Sequence, residues 1–375
     1  MISKYITRDR NFGLDLLRFY AIISVVYSHG SWLFKHIPIL EISSKFFFID
    51  GVELFFVLSG FLIGGILLKK FTNVKLSTIF NFYKNRWFRT LPNYYLFLLI
   101  NILFSFFLFK RISAHTPKYF FFIQNLFFDS NSEGFFAESW SLAIEEWFYL
   151  LCPIIILIIS FFKVKNKVLF SAIILLLSSL VLKYIQFVSN DFDPKNYDVL
   201  IRKVTILRMD SISIGLILAW VKNTFPKVFL KFNFKYICLI LGLIFLVYRS
   251  VFSSSINNFI FWENVVFKDT LNSIAISLLF PFFYSLRYNF DSNIFTKLIT
   301  WVSLISYSMY LVHYSIINQT IKEFFWPDNG YMAIFLFVTY FLLTLIISTI
   351  NFIFFETKVT KFRDKINLSD FNFRI

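Results

Sequence analysis

Two cysteines in 375 residues leave no room for a covalent framework, and both, Cys152 and Cys238, fall inside apolar runs, where they build neither a disulfide scaffold nor a metal cluster. Phosphate-cradling glycine loops, a nucleophile elbow and zinc-ligand spacings are also missing, which removes the enzyme classes built on them. The chain shows no internal repeat, no linker and no loop long enough for a soluble domain; the longest, 110–140, is expected outside the cytoplasm, over the outer mouth of the molecule. Acidic residues are scarce, 22 against 37 Lys and Arg. The resulting +15 charge does not mark a nucleic-acid partner, because the basic residues lie in short segments between apolar runs.

What is abundant is apolar surface. Hydrophobic residues make up 58% of the chain, charged residues 16%, and the mean hydropathy is +0.68, more than a soluble core of this size would bury. The 56 Phe, with many Ile, Lys and Asn, match an AT-rich genome and carry no functional reading. A membrane span needs about 20 mostly apolar residues. Ten segments qualify: 13–33, 51–68, 91–109, 141–162, 168–188, 204–221, 236–250, 269–286, 298–319 and 331–355, the seventh being short. With the N-terminus inside, the cytoplasmic segments hold 23 Lys and Arg, about twice the number on the other side. The expectation is an all-α polytopic bundle of about ten transmembrane helices in lipid, both termini cytoplasmic, with Lys4, Arg8 and Arg10 preceding a retained first span.

The stretch Gly13 to Trp32 is the most informative, because it carries Arg18 near its start and His29 near its end. Eleven residues at roughly 100° each place both side chains on one helical face, about 16 Å apart along the axis. Ionisable groups inside a span are costly unless they face the bundle interior or a wet cavity, so this helix is expected to line a polar passage.

Under that topology the other polar residues sort by depth. His29, Glu53, Glu145, Glu146, Arg208, Asp210 and His313 fall toward the outer ends, and Arg18, Arg86, Arg89 and Glu356 toward the inner. Carboxylates with histidine suit proton transfer; arginines suit a phosphorylated donor. The plain alternative for each is helix-to-helix pairing. Arg86 and Arg89, three apart, share a face and could clamp phosphates, although spacing alone favours an ordinary basic flank. Arg208 and Asp210, two apart, are expected to serve different neighbours. Ser306, Tyr310 and His313 make an inward polar stripe at i, i+4 and i+7. Gly60 and Gly64 read as close helix packing. His36 and His115 fall in loops.

The order of these motifs resembles the acyltransferase-3 family of integral membrane acyltransferases. The match is carried by Arg18 with His29; GVELFFVLSGFLI at 51–63; Arg86 and Arg89 before Pro92; SWSLAIEEWFYL at 139–150; RMDSISIG at 208–215; and SYSMYLVH at 306–313. Glu53 stands where the family usually has aspartate, Trp147 replaces a frequent glutamine, and Glu356 lacks the common proline pattern after it. The resemblance implies a membrane domain over 8–356 followed by a basic cytoplasmic tail, 357–375, with no hydrolase-like extension.

It further implies a bacterial inner-membrane enzyme that moves an acyl group, most simply acetyl from cytoplasmic acetyl-CoA, to a hydroxyl of an extracytoplasmic glycan such as O-antigen, capsule or exopolysaccharide, without a metal. Arg18 and His29 would be essential, and Arg86 and Arg89 would serve the acyl-CoA. Neutral imidazole is available at physiological pH, so His29 is the expected general base, oriented by Glu145 or Glu146, with Glu53, Arg208, Asp210, Ser306, Tyr310 and His313 as supporting polar groups. The rival class is a proton-coupled exporter of an envelope precursor, which would show paired halves or broken helices.

Overall fold

The computed structural model describes residues 10–37, 49–72, 74–110, 115–127, 135–189, 196–252, 261–287 and 294–365. Ten long helices account for the ten apolar segments: α1 Phe12–Gly30, α2 Gly51–Lys70, α3 Leu76–Phe109, α4 Ser139–Phe161, α5 Lys167–Ser189, α6 Met209–Thr224, α7 Phe232–Phe252, α8 Phe261–Ser285, α9 Ile294–Val312 and α10 Gly330–Asn351. Among the described residues there is no strand. The chain is an all-α, multi-pass membrane protein. Eight helices are long and apolar enough to cross a membrane by length and composition. The two short of that measure are α1 and α6.

For α6, 16 residues long, the deficit is one of length, and in both helices the packing tolerates polar side chains. Helix α1 packs against α2, α8, α9 and α10, and α6 against α2, α4, α5 and α8, so their polar side chains meet protein rather than lipid. Helix α2 is wedged between them. A Cβ on Gly60 would collide with the Ile212 carbonyl oxygen, and one on Gly215 with that of Val57, which explains the small residues on both helices. By contrast α7 turns Ile237, Ile240, Leu241 and Ile244 outward, the apolar face a lipid-contacting helix needs.

Helix starts are secured locally. The Asn11 side chain accepts from Leu14 N, and Asp50 accepts from Val52 N and Glu53 N. Two sequence expectations change here. The seventh span is no fragment but a helix of 21 residues. The third is the second half of a 34-residue helix, so Arg86 and Arg89 stand inside a helix rather than in a flanking loop. Of the long loop, 111–114 and 128–134 lie outside the described residues, as do Lys4, Arg8 and the tail beyond 365.

Candidate active site

Helices α1, α2, α3, α4 and α9 converge on a cavity of about 150 Å³ whose polar lining includes Arg18, Arg86, Arg89, Glu145, Ser306 and Tyr310. Arg86 and Arg89 reach it together because three residues of helix return to the same face. Arg86 Nη2 lies 3.3 Å from Glu145 Oε2 and donates to the Tyr149 hydroxyl, which donates in turn to Glu145 Oε2 at 2.7 Å. The guanidinium carbon stands 3.9 Å from the Tyr149 ring centroid, so the ring face stabilises the cation as well. Glu146, one residue further round the helix, points elsewhere and accepts from Thr90 Oγ1 at 2.8 Å.

This cavity shares Arg18, Leu62 and Arg89 with a second one, of about 410 Å³, at the end of the bundle where α1 begins. Arg10, Lys69 and Lys222 also line it, against one carboxylate, Asp15. That carboxylate is already engaged: it takes a two-pronged grip from Arg10 and a hydrogen bond from Ser303 Oγ at 2.8 Å, with Arg18 Nη1 3.5 Å away. Arg89 is exposed into the space, and no described carboxylate pairs with it. The chamber therefore carries an uncompensated positive charge.

At the other end Val52 is common to the 150 Å³ cavity and a third, of about 510 Å³, which holds His29. His29 Nδ1 lies 2.8 Å from His313 Nε2, and His313 Nδ1 lies 2.8 Å from the Tyr310 carbonyl oxygen and 3.2 Å from that of Met309. A carbonyl only accepts, so His313 Nδ1 carries the proton and its Nε2 is a lone pair. His29 must then donate through Nδ1, which leaves its Nε2 unprotonated: the geometry of a general base. The helix loosens into π-type turns over His313–Asn318, where such widening reorients side chains. Asn318 Nδ2 holds the His29 carbonyl at 2.9 Å.

The geometry corrects one pairing. Glu145 and Glu146 do not orient His29; His313 does, because α1 packs against α9 and its π-type extension, while α4 presents both carboxylates to α3. Glu145 accordingly joins the arginine group rather than a histidine layer. The Ser306, Tyr310 and His313 stripe does face inward, all three being buried.

Glu53, Arg208 and Asp210 stand apart from the cavities in a buried ionic cluster. Arg208 Nη2 bonds Glu53 Oε2 at 2.5 Å and Arg208 Nη1 lies 3.1 Å from Asp269 Oδ2, while Lys183 Nζ bonds Asp210 Oδ2 at 2.7 Å. Arg208 and Asp210 thus serve different principal neighbours. They still approach to 3.8 Å, since Arg208 precedes the first turn of α6 and escapes the helical geometry. Glu356 is tied to Asn93 Nδ2 at 3.1 Å and Ser308 Oγ at 2.9 Å, a helix-joining network.

Several residues escaped the sequence reading. Lys183 and Asp15 lie within apolar segments and obey the same rule that singled out Arg18, so a stricter scan for ionisable groups would have found them. Tyr149 and Glu138 carry no such signal. Glu138, just before α4, accepts from the Ser315 hydroxyl, and burial pushes its carboxyl up to about 7.

Comparison with known proteins agrees with this architecture. An O-acetyltransferase OatA of Staphylococcus aureus is 27% identical over 375 residues, covering 93% of this chain and 57% of that protein. A peptidoglycan O-acetyltransferase OatA of Listeria monocytogenes is 28% identical over 374 residues, covering 93% of this chain and 56% of that protein. The chain thus spans little more than half the length of these curated relatives. No solved structure matches it. An acyltransferase domain matches residues 11–352, a stretch that includes every described lining residue of the three cavities except Arg10, and the chain belongs to that family of membrane acyltransferases.

Proposed function

We propose that the chain is an O-acetyltransferase of the bacterial inner membrane, with both termini in the cytoplasm, which passes acetyl from cytoplasmic acetyl-CoA to a hydroxyl of an envelope glycan on the far side. The name of the Listeria monocytogenes relative favours peptidoglycan as that glycan. One observation carries the reading: three cavities that share wall residues lead from a basic chamber at the start of α1 to His29 at its end.

Coenzyme A has a phosphorylated head and a long thin arm ending in the thioester. The 410 Å³ chamber, with Arg10, Arg18, Arg89 and Lys222, suits the phosphates. The 150 Å³ passage beyond is too small for a nucleotide, since drug-sized ligands need about 300–1,000 Å³, but it admits an extended chain. Arg86, braced by Glu145 and Tyr149, borders that passage and would steady the donor's arm along it.

At the far end His29 Nε2 takes the proton of the acceptor hydroxyl, and the oxygen attacks the thioester carbon. The carbon–sulfur bond breaks, and the departing sulfur takes the proton back from His29 as coenzyme A thiol. His313 keeps Nδ1 of His29 engaged throughout and stabilises the imidazolium that forms in between.

The test is reconstitution of the protein in liposomes with labelled acetyl-CoA on one side and a soluble peptidoglycan fragment on the other. Label bound covalently to sugar hydroxyls is the expected result. Passage of unaltered solute across the membrane, with no label on any sugar, would replace the enzyme by an exporter.

A further inference from the structure

The His29 cavity has features that hydroxyl activation does not require. It is the largest of the three, about 510 Å³, and falls in the range of a small-molecule site. Its wall opposite α1 is cationic: Arg249 comes from α7, Lys268 from α8 and Arg202 from the turn before α6, against Asp50 as the one described carboxylate. Asp50 is committed to Arg202, 2.7 Å away, and its other oxygen caps α2. The same carboxylate holds the Arg202 guanidinium above its ordinary range.

Arg249 and Lys268 are different. Both are half-buried, and no described carboxylate pairs with either. Arg249 Nε makes a 3.2 Å hydrogen bond to Asn272 Oδ1, a neutral group, and Lys268 Nζ stands 4.5 Å from the Tyr197 ring centroid. Asn272 lines the cavity as well. Two cations held by an amide and a ring face keep their charge unspent, and partial burial makes them attract an anion more strongly than the same groups on an open surface. A neutral acceptor sugar would leave both unmatched.

We infer that this cavity binds an acceptor carrying an oxyanion, a carboxylate or a phosphate, beside the hydroxyl that is acylated, with Arg249 and Lys268 as the groups that hold it. This rests on the acyl-transfer reading of His29 for the acceptor's role, though not for the binding itself. The anion fixes the register of the sugar against His29, so that one hydroxyl is presented to Nε2, and it selects charged glycans over neutral ones. Either a carboxylate on the sugar or a phosphate linking it to a carrier supplies the same chemistry.

The experiment compares N-acetylmuramic acid with its carboxamide, which differ by one charge, and N-acetylglucosamine 1-phosphate with N-acetylglucosamine. The full-length protein is used in detergent, and both binding, by calorimetry, and acetyl transfer are read. The wild-type protein is expected to favour the charged member of at least one pair by about tenfold in Kd or KM, which corresponds to about 1.4 kcal/mol. The pair that shows it identifies carboxylate or phosphate as the source. The preference should shrink as salt rises and fall toward unity in the Arg249→Gln, Lys268→Gln double variant.

Equal binding of charged and neutral members by the wild-type protein overturns the anion site without recourse to any variant. A preference that survives the double substitution overturns the assignment to these two residues. Charge-selective binding without acetyl transfer upholds the site and instead removes the acyl-transfer reading.

Discussion

The membrane interior of this protein holds two kinds of charge, and they are built differently. In the cluster of Arg208, Glu53, Asp269, Asp210 and Lys183, Arg208, Lys183 and Asp210 have no exposed surface, and each charge touches an opposite one. Along the cavities, Arg18 and Arg86 are half-buried, Arg89 and Lys268 have no described carboxylate partner, and His29 keeps one ring nitrogen open. Both sets are costly in lipid, so cost alone does not identify function. What separates them is pairing: in the cluster that joins α2, α5, α6 and α8 every charge faces an opposite one, whereas cations without a described counter-charge beside a cavity retain capacity for a ligand.

Substitutions can break or sharpen that contrast. The largest effect is expected for His29→Ala, which should lower acetyl transfer by about 10²–10⁴-fold while leaving the melting temperature in detergent near wild type. A normal rate would remove the base. Arg208→Met should do the reverse, costing about 3–5 kcal/mol of stability because Glu53 and Asp269 lose their shared cation. Thermal unfolding followed by circular dichroism would measure it, and a stable, inactive Arg208→Met protein would move that cluster into the functional class.

His313→Phe should reduce transfer by roughly 10–100-fold, the loss typical when a partner that orients a ring is removed. His313→Gln, whose amide oxygen can accept from His29 Nδ1, should recover part of the rate and separate positioning from packing. The smallest effect is expected for Arg89→Gln, a rise of about tenfold in the KM for acetyl-CoA with kcat unchanged, since it loses binding common to ground and transition states. An unaltered KM would place the nucleotide elsewhere.

Much of the site was legible because much of it is local. Arg18 and His29 share a helix, so their common wall follows from the helical repeat, and the same holds for Arg86 with Arg89 and for the Ser306 to His313 stripe. The partner of His29 was not legible. His313 lies 284 positions away, and carboxylates looked the better candidates by residue type. Depth along a span was likewise a poor guide for Glu145, which meets Arg86 because α3 begins well before its apolar half.

From the sequence alone came the helices, their residence in a membrane and the one face that carries a cation and an imidazole. Each of these depends on hydropathy and periodicity within some twenty residues. Only the tertiary structure decided which charges are neutralised and which open onto a cavity, because that turns on which helices become neighbours. The close approach of α2 to α6, set by glycines on both, and the packing of α1 on α9 bring together side chains that nothing in their local sequence associates.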